Sequence, residues 1–485
     1  MLGTAWLSWL GYKKTRGFGS FAIGNGDLSP LVVGVTLAAS VASAATFIIN
    51  PGFVYVDGLA AWFHMVVASY LGFMVTIVLL SFRFRRIGAE SGALTIPDWI
   101  GRRYGSPGYA LFFAVANLLA FAFVVLLVGG ISIVMQQLLG IGNTEALLIT
   151  LVFVTGYVFV GGTYAHVFTN MLQGSLMIVV AVVVLGSGLP LLFQSEPSFA
   201  DAITAQGEHL LSPVNPDGAL FNNVFSIYVA GFLVGAAVVC QPHILTKALY
   251  VKSDRAVARY LIVLAVALAV FLLLGTVGFF ARISVPSEQL IDAATGAFRQ
   301  DLVMTMYLKN AFPDWMFTCI SVVLLAAAMS TLDGLLVGLS TITANDLLLN
   351  LAKRYGRGRS HEEQMAWAYK ASHVVLVVIA VAAFAVLRNP PQLLGIFGQV
   401  GVYGLVLGTM PPLLAGVWFK RVPLGLVWCA SIGAMGVHFL LFVKGGDWFP
   451  EAGLTFANPG VTLALAMLVV VVPAVVVVAW KARQT

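Results

Sequence analysis

The stretch LVVGVTLAASVASAATFIINPG, residues 31–52, is long and apolar enough to cross a membrane, yet its centre contains almost no bulky side chain. A membrane span needs about 20 mainly apolar residues. Alanine, serine and threonine in the centre allow neighbouring backbones to approach closely. They also allow the helix to unwind and present its carbonyl oxygens to a ligand. On its own the stretch is more typical of close packing, so the rest of the chain must decide between the two roles.

The composition favours a membrane protein. The chain has 485 residues, 60% hydrophobic and 9% charged, whereas an average soluble protein has about 25% charged residues. The net charge of +6 is typical of Lys and Arg retained on the cytoplasmic side, so we predict no nucleic-acid binding. Cys240, Cys319 and Cys429 lie far apart without the spacing of a metal site and are predicted to be small core residues.

Twelve stretches have the length and apolar character of a span. We number them spans 1 to 12, with limits near 30–50, 58–82, 109–138, 144–161, 166–194, 222–246, 257–283, 315–345, 368–388, 393–418, 424–443 and 459–480. The chain is therefore predicted to be an all-α polytopic membrane protein. The first segment, MLGTAWLSWLGY, is apolar but about half the length of a span, and we expect it to be a truncated N-terminal helix.

The basic residues predict the orientation of the chain. If Lys13 and Lys14 are cytoplasmic, most of the 26 basic residues fall on the cytoplasmic side, as they do in multi-pass proteins. We therefore predict a multi-pass protein of the cell inner (plasma) membrane, with a cytoplasmic C-terminus. The lipid bilayer is its expected surrounding, and no obligate protein partner is evident.

Span 8 contains LLAAAMSTLDGLLVGLSTITANDL, residues 324–347, and the one carboxylate inside a predicted span, Asp333. An unpaired acid there costs about 2.5 to 3.5 kcal/mol. Ser330, Thr331 and Asp333 lie within one turn and Ala327 one turn earlier, so their oxygens can gather around a small alkali cation. Alternatively, a protonated Asp333 hydrogen-bonds a neighbouring helix, and the two hydroxyls bond carbonyls of their own helix.

Span 6 contains GAAVVCQPHIL, residues 235–245, in which small residues precede Pro242. Proline removes a backbone donor and breaks or kinks a helix. Spans 1 and 6 are five apart, as a five-plus-five inverted repeat requires. Interrupted spans at corresponding positions of two halves point to a transporter site.

Five motifs in order resemble the sodium:solute symporter family. They are FAIGNGDLSP at 21–30, LTIPDWIGRRYG at 94–105, TNMLQGSLMI at 169–178, QPHILTKAL at 241–249 and AAAMSTLDG at 326–334. The resemblance implies a LeuT-type fold with two inverted five-helix repeats. The implied divisions are a truncated N-terminal helix and cytoplasmic linker at 1–29, a first repeat at 30–194, a second repeat at 195–418, and two C-terminal helices with a short tail at 419–485.

The resemblance also implies a sodium site. Its ligands would be the carbonyls of Ala39, Ala42 and Ala327 and the hydroxyls of Ser330 and Thr331. Many members carry an aspartate where this chain has Asn170 and a serine where it has Asp333. A second cation site formed by Asn170, Ser330 and Asp333 is therefore possible, with the Asn170 amide donating to Asp333.

The family's solute lies between spans 1, 2, 6 and 10. The candidates here are Ser43, Thr46, Phe47, Trp62, Val234, Val238, Gln241 and Gln399. Proline-transporting members have aromatic residues where Val234 and Val238 stand, which disfavours proline. We expect no mid-span Lys or Arg to clamp a dianion and no second intramembrane acid to hold an amine. A small monocarboxylate or neutral polar solute remains, with a slight preference for a pantothenate-like or monocarboxylate substrate.

The predicted function is sodium-coupled import of a small organic solute by alternating access, with the sodium ion as the only cofactor. No cluster of residues suggests catalysis, so we do not expect an enzyme. Two alternatives stay open. One is a membrane sensor related to symporters, and the other is a proton-coupled transporter that uses Asp333.

Overall fold

The computed structural model describes residues 2–14, 22, 28–43, 45–291, 296–351, 360–391 and 394–484. Within these ranges the chain is helical, and the β-type pairs are two isolated bridges, Ser195 with Ser198 and Ile291 with Phe298. Helices satisfy their backbone polar groups internally, as lipid requires. The predicted all-α class is confirmed. Most of the predicted linker before Ser29 lies outside the described residues.

The helices of the first half follow spans 1 to 5. They are Leu2–Lys14 before span 1, Pro30–Val41 and Ala45–Ile49 in span 1, Asn50–Trp62, Phe63–Ala68 and Ser69–Ser91 from the end of span 1 through span 2, Ile96–Tyr104 between spans 2 and 3, Pro107–Ala116, Asn117–Ala120 and Phe121–Leu139 in span 3, and Asn143–Ser187 with Leu189–Leu192 in spans 4 and 5.

The helices of the second half follow spans 6 to 12. They are Phe199–Thr204 and Glu208–Leu211 in the preceding loop, Phe225–Val229, Ala230–Val238, Pro242–Leu245 and Thr246–Tyr250 in span 6, Asp254–Leu272, Leu273–Thr276 and Val277–Ser284 in span 7, Ser287–Leu290, Gln300–Leu302 and Val303–Ala311 in the next loop, Asp314–Ile342 and Thr343–Leu348 in span 8, His361–Leu387 in span 9, Leu394–Trp418 in span 10, Leu424–Trp448 in span 11, and Pro459–Ala466, Met467–Val471 and Val472–Gln484 in span 12.

Fewer than twelve of the described helices are long and apolar enough to cross a membrane on their own. Among the described residues ten do, and the bent pair in span 6 makes eleven. The difference from twelve arises in span 1. Its inner half, Pro30–Val41, is too short to cross a membrane alone, and its outer half continues into span 2 as one helical run, Thr46–Ser91.

Span 1 is broken at its small residues, as its sequence allows. The Ser29 hydroxyl caps the inner half by accepting from the Val32 N–H at 3.3 Å. The helix ends at Val41, Ala42 leaves helical geometry, and helical bonding resumes at Ala45. A second break follows at Gly58, whose φ of +58° favours glycine.

Spans 4 and 5 form one helical run in their hydrogen bonding, Asn143–Ser187. Tyr157 and His166 in this run both contact Asp333. This part of the chain contains two stretches that are each long and apolar enough to cross a membrane, Asn143–Val160 and Thr163–Leu192, which agrees with two predicted spans.

The middle of the molecule is formed by spans buried over most of their length. Spans 8 and 10 are of this kind, whereas only a minority of the residues in spans 5, 9 and 11 are buried. Glycines bring the backbones of spans 2 and 6 together, since a Cβ on Gly72 would overlap Phe232 and one on Gly235 would overlap Ser69. Span 2 therefore packs closely against the broken span 6.

Candidate cation and solute site

Two hydroxyl bridges join the break in span 1 to the middle of span 8. Ser330 Oγ lies 2.8 Å from the Ala39 carbonyl oxygen and 2.6 Å from that of Ala327. Thr331 Oγ1 donates to the Ser40 carbonyl at 2.9 Å. All five residues are buried. The arrangement gathers hard oxygen atoms from two helices, which is the ligand chemistry that a small alkali cation prefers.

Span 5 closes this group of oxygens. The Asn170 amide donates to Ser40 Oγ at 3.1 Å and to the Ser330 carbonyl at 2.8 Å. Asn170 Oδ1 and both polar atoms of the Gln173 side chain are buried without a hydrogen-bond partner. Such unsatisfied atoms are costly unless a ligand or water satisfies them. The residues present therefore fit a bound sodium ion.

Asp333 is fully buried and is bonded by three side chains of spans 4 and 5. Tyr157 donates its hydroxyl to Oδ2 at 3.1 Å, Thr169 approaches the same oxygen at 3.3 Å, and His166 Nδ1 lies 2.7 Å from Oδ1. The compensation that its burial requires is thus a hydrogen-bond network. Asn170 does not make the predicted bond to Asp333, because its amide hydrogens go to spans 1 and 8.

Span 8 contributes a second buried acid, Asp346. The helical run extends past the predicted limit to Leu351. Asp346 lies in its last part, is 2% exposed, and accepts from Thr95 Oγ1 at 2.7 Å. The prediction of a single intramembrane acid was wrong. The helix continues beyond the apolar stretch that set the predicted limit at residue 345, and Asp346 lies in this continuation. Asp346 is bonded to Thr95 rather than to the predicted cation site.

Lys247 is fully buried against Thr36 and Ser40 in the middle part of span 1, whereas the sequence predicted no mid-span lysine. Its ammonium donates to the Thr36 carbonyl at 2.8 Å and to Ser40 Oγ at 2.6 Å. The prediction was wrong because span 6 bends by 64° between Phe225–Val238 and Pro242–Tyr250. After this bend the chain continues inside the protein, whereas hydropathy had assigned Lys247 to a loop.

The predicted solute residues are all among those the structure describes. Ser43, Thr46, Phe47, Val234 and Gln241 are buried, and Trp62, Val238 and Gln399 are half-buried. Phe47 packs on Phe271 of span 7, with ring centroids 5.4 Å apart. Trp62 donates its indole N–H to Thr276 Oγ1 at 3.1 Å. Spans 1 and 2 thus meet span 7 through these aromatics.

Two residues of span 6 point in different directions. A Cβ on Gly460 would lie 3.2 Å from Val234, so Val234 faces span 12. Gln241 instead lines a small cavity with Asn117, His243 and Leu405. Val234 is not among the residues that line this cavity.

The Gln241 cavity is polar on one side. Its volume of about 10 Å³ suits one water molecule, which needs about 10 to 15 Å³. Asn117 Nδ2 and His243 Nδ1 are buried without a hydrogen-bond partner. These atoms leave unused hydrogen-bonding capacity beside the break in span 6, and a solute larger than water would require the cavity to widen.

Sequence reasoning missed Tyr157, His166 and Lys247. Each lies close to a predicted limit of a span, where a polar residue is easily assigned to a loop. A signal was nevertheless present, because a buried carboxylate requires partners. A search for ionisable residues near span limits would have found them.

A helix broken partway along a membrane span and bridged to hydroxyls of a second helix is typical of a secondary transporter. A sequence profile of the sodium:solute symporter family matches residues 21–433. The chain belongs to this family.

Relatives and solved structures agree. The chain is 27% identical to a sodium/pantothenate symporter of Haemophilus influenzae, covering 88% of this chain and 86% of the relative. It is 24% identical to the sodium/proline symporter of Escherichia coli, covering 90% and 85%. Among solved structures, a Na+-coupled sialic acid symporter in a substrate-bound outward-open state matches with a TM-score of 0.72 and 14% identity, covering 98% and 96%.

These similarities confirm the predicted family, the LeuT-type fold, and solute transport coupled to sodium. The family consists of transporters rather than enzymes, and the protein is a multi-pass membrane protein. The solute and the cation ligands of this protein must be inferred from its own residues.

Proposed function

We propose that this protein imports a small monocarboxylate of the pantothenate kind, driven by sodium bound between spans 1 and 8. The observation that carries the sodium site is the pair of bridges from Ser330 to Ala39 and from Thr331 to Ser40. A cation among these oxygens would replace the bridges with direct contacts. Binding would thereby join the two spans through the ion.

The proposed sodium ligands are those that the family resemblance implies. They are the carbonyls of Ala39, Ala42 and Ala327 and the hydroxyls of Ser330 and Thr331. A membrane potential of 100 mV is worth about 2.3 kcal/mol per charge. One sodium ion can therefore concentrate a solute roughly fiftyfold, since each 1.4 kcal/mol is about tenfold.

Three observations support a monocarboxylate. The pantothenate symporter is a relative over most of both chains. The proposed solute residues are uncharged, so no acid among them would hold an amine. Asn117 and His243 can offer hydrogen bonds to carboxylate, amide or hydroxyl oxygens. A neutral amino acid such as proline is the second candidate, because proline symporters are also relatives.

The proposed location is the cell inner (plasma) membrane with a cytoplasmic C-terminus. Its support is the distribution of Lys and Arg among alternate loops. The Leu2–Lys14 segment, which carries Lys13 and Lys14 near its end, would then end on the cytoplasmic side.

Uptake into proteoliposomes tests the function. Purified protein is reconstituted, and uptake of labelled pantothenate, short monocarboxylates and proline is measured under an inward sodium gradient. We expect accumulation of a monocarboxylate above its external concentration.

Two controls accompany the uptake. Vesicles with equal sodium on both sides, and vesicles with only a proton gradient, should not accumulate the solute. Accumulation under a proton gradient alone would assign the coupling to protons. Accumulation of proline but of no monocarboxylate would overturn the proposed solute.

A further inference from the structure

The ammonium of Lys247 is buried next to the proposed cation site, although a positive charge there does not favour sodium binding. Lys247 is fully buried, and among the described residues no carboxylate lies within ion-pair distance of its Nζ. It donates hydrogen bonds to Thr36 and Ser40 of span 1. A buried charge without a paired carboxylate depends on the oxygens around it.

Ser40 of span 1 connects Lys247 to the proposed sodium ligands. Ser40 Oγ accepts from both Lys247 and Asn170, and the Ser40 carbonyl accepts from Thr331. The ammonium thus contacts Ser40, whose carbonyl is bridged by Thr331. The preceding residue, Ala39, carries the carbonyl that Ser330 bridges. A sodium ion among those oxygens would meet a second positive charge nearby with little water to screen it.

The other ionisable groups around the ammonium do not neutralise it by direct contact. Asp333, His166 and His243 interact with Lys247 electrostatically. The Asp333 carboxylate is itself bonded to His166, Tyr157 and Thr169. Lys247 therefore keeps the oxygens of span 1 as its hydrogen-bond acceptors.

We infer that the Lys247 ammonium, held by Thr36 and Ser40 of span 1, is a tethered cation whose charge opposes sodium binding at the oxygens between spans 1 and 8. When sodium is bound, repulsion weakens its binding. Lys247 would thus favour sodium release and set the turnover of the transporter. This inference rests on the proposed position of the sodium site.

Two uncharged variants test the inference. Lys247→Met removes the charge and the hydrogen bonds, while Lys247→Gln removes the charge but can still donate to the same oxygens. Equilibrium binding of radioactive sodium to the purified protein should be about tenfold tighter in both variants than in wild type, because one repulsion is removed. Net uptake should be slower, whereas solute exchange with equal sodium on both sides should continue.

Lys247→Arg is the matched control, because it retains the positive charge and should keep sodium affinity near the wild-type value. If Lys247→Gln binds sodium like wild type and only Lys247→Met differs, the lysine is a structural hydrogen-bond donor and the inference is overturned. Unfolding temperatures of all three variants report whether they fold.

The double variant Ser330→Ala with Thr331→Ala separates this inference from the proposed function. If sodium binding survives in the double variant, the proposed sodium site is wrong. If sodium binding is lost there but is unchanged in Lys247→Gln, the site stands and only the opposing role of Lys247 fails.

Discussion

His166 and Asp333 meet with 2.7 Å between Nδ1 and Oδ1, and both side chains are buried. The contact joins span 5 to span 8 three residues after Ser330. It holds the Asp333 carboxylate beside the proposed sodium site. The hydroxyls of that site, on Ser330 and Thr331, bond carbonyls of spans 1 and 8 instead of this carboxylate. The pair therefore stabilises the helix arrangement on which the site depends.

We expect His166→Leu to lower the free energy of unfolding by about 3 kcal/mol. Removing one partner of a buried pair leaves the other without full compensation, and such losses are about 3 to 5 kcal/mol. Tyr157 and Thr169 still bond Asp333, so the smaller value applies. Denaturant unfolding of the purified protein measures the change.

Replacing Asp333 as well provides the control for this pair. His166→Leu with Asp333→Leu should be more stable than the sum of the two single effects predicts, because the loss of the contact between His166 and Asp333 contributes to both single effects but only once to the double variant. Additive losses would mean that the two residues do not interact in solution.

Ser330→Ala with Thr331→Ala should weaken sodium binding by about a hundredfold or more. Each hydroxyl contact to a charged group is worth about 1.5 to 3 kcal/mol. Sodium dependence of uptake and equilibrium binding of radioactive sodium both measure the loss. Ser340→Ala is a matched control, since its hydroxyl bonds Val337 within the same helix. Wild-type sodium affinity in the double variant would place the ion elsewhere.

The number of sodium ions per solute tests the possible second cation site at Asn170, Ser330 and Asp333. Both carboxylate oxygens already accept hydrogen bonds from other side chains. We therefore expect one sodium ion per solute in wild type and in Asp333→Asn. Reversal potentials in proteoliposomes give the ratio. A fall from two to one in the variant would establish the second site.

The solute site is tested at Asn117, whose buried amide nitrogen has no hydrogen-bond partner. Asn117→Leu keeps the volume of the side chain but removes the donor. If solute binds there, its KM should rise about tenfold, the value of one hydrogen bond of about 1.4 kcal/mol. Sodium binding should be unchanged. An unaltered KM would move the solute away from the Gln241 cavity.

Close packing of spans 2 and 6 predicts that Gly235→Ala destabilises the protein by about 2 kcal/mol. The new methyl group would overlap the backbone at Ser69, and overpacking costs about 1 to 3 kcal/mol. Gly436→Ala in span 11 is the control, because its Cβ would meet nothing within 4 Å. Equal unfolding temperatures for the two variants would contradict the packing.

Much of the fold and part of the site could be read from residue types along the chain. Apolar length located the spans, because lipid demands continuous hydrophobic helices. The small residues around Ala39 and the hydroxyls of Ser330 and Thr331 predicted two parts of one site, and the structure brings them within hydrogen-bond distance.

Tertiary structure decided the positions of the charges. The partners of Asp333 come from spans 4 and 5, which are far from span 8 in the sequence. Lys247 is buried because the chain bends after span 6 breaks and then returns toward span 1. Hydrophobicity is a property of each segment and is readable along the sequence, whereas the solvation of a charge depends on which distant groups surround it. The sequence therefore determined the membrane helices and their weak points, and only the packed fold determined which polar groups meet there.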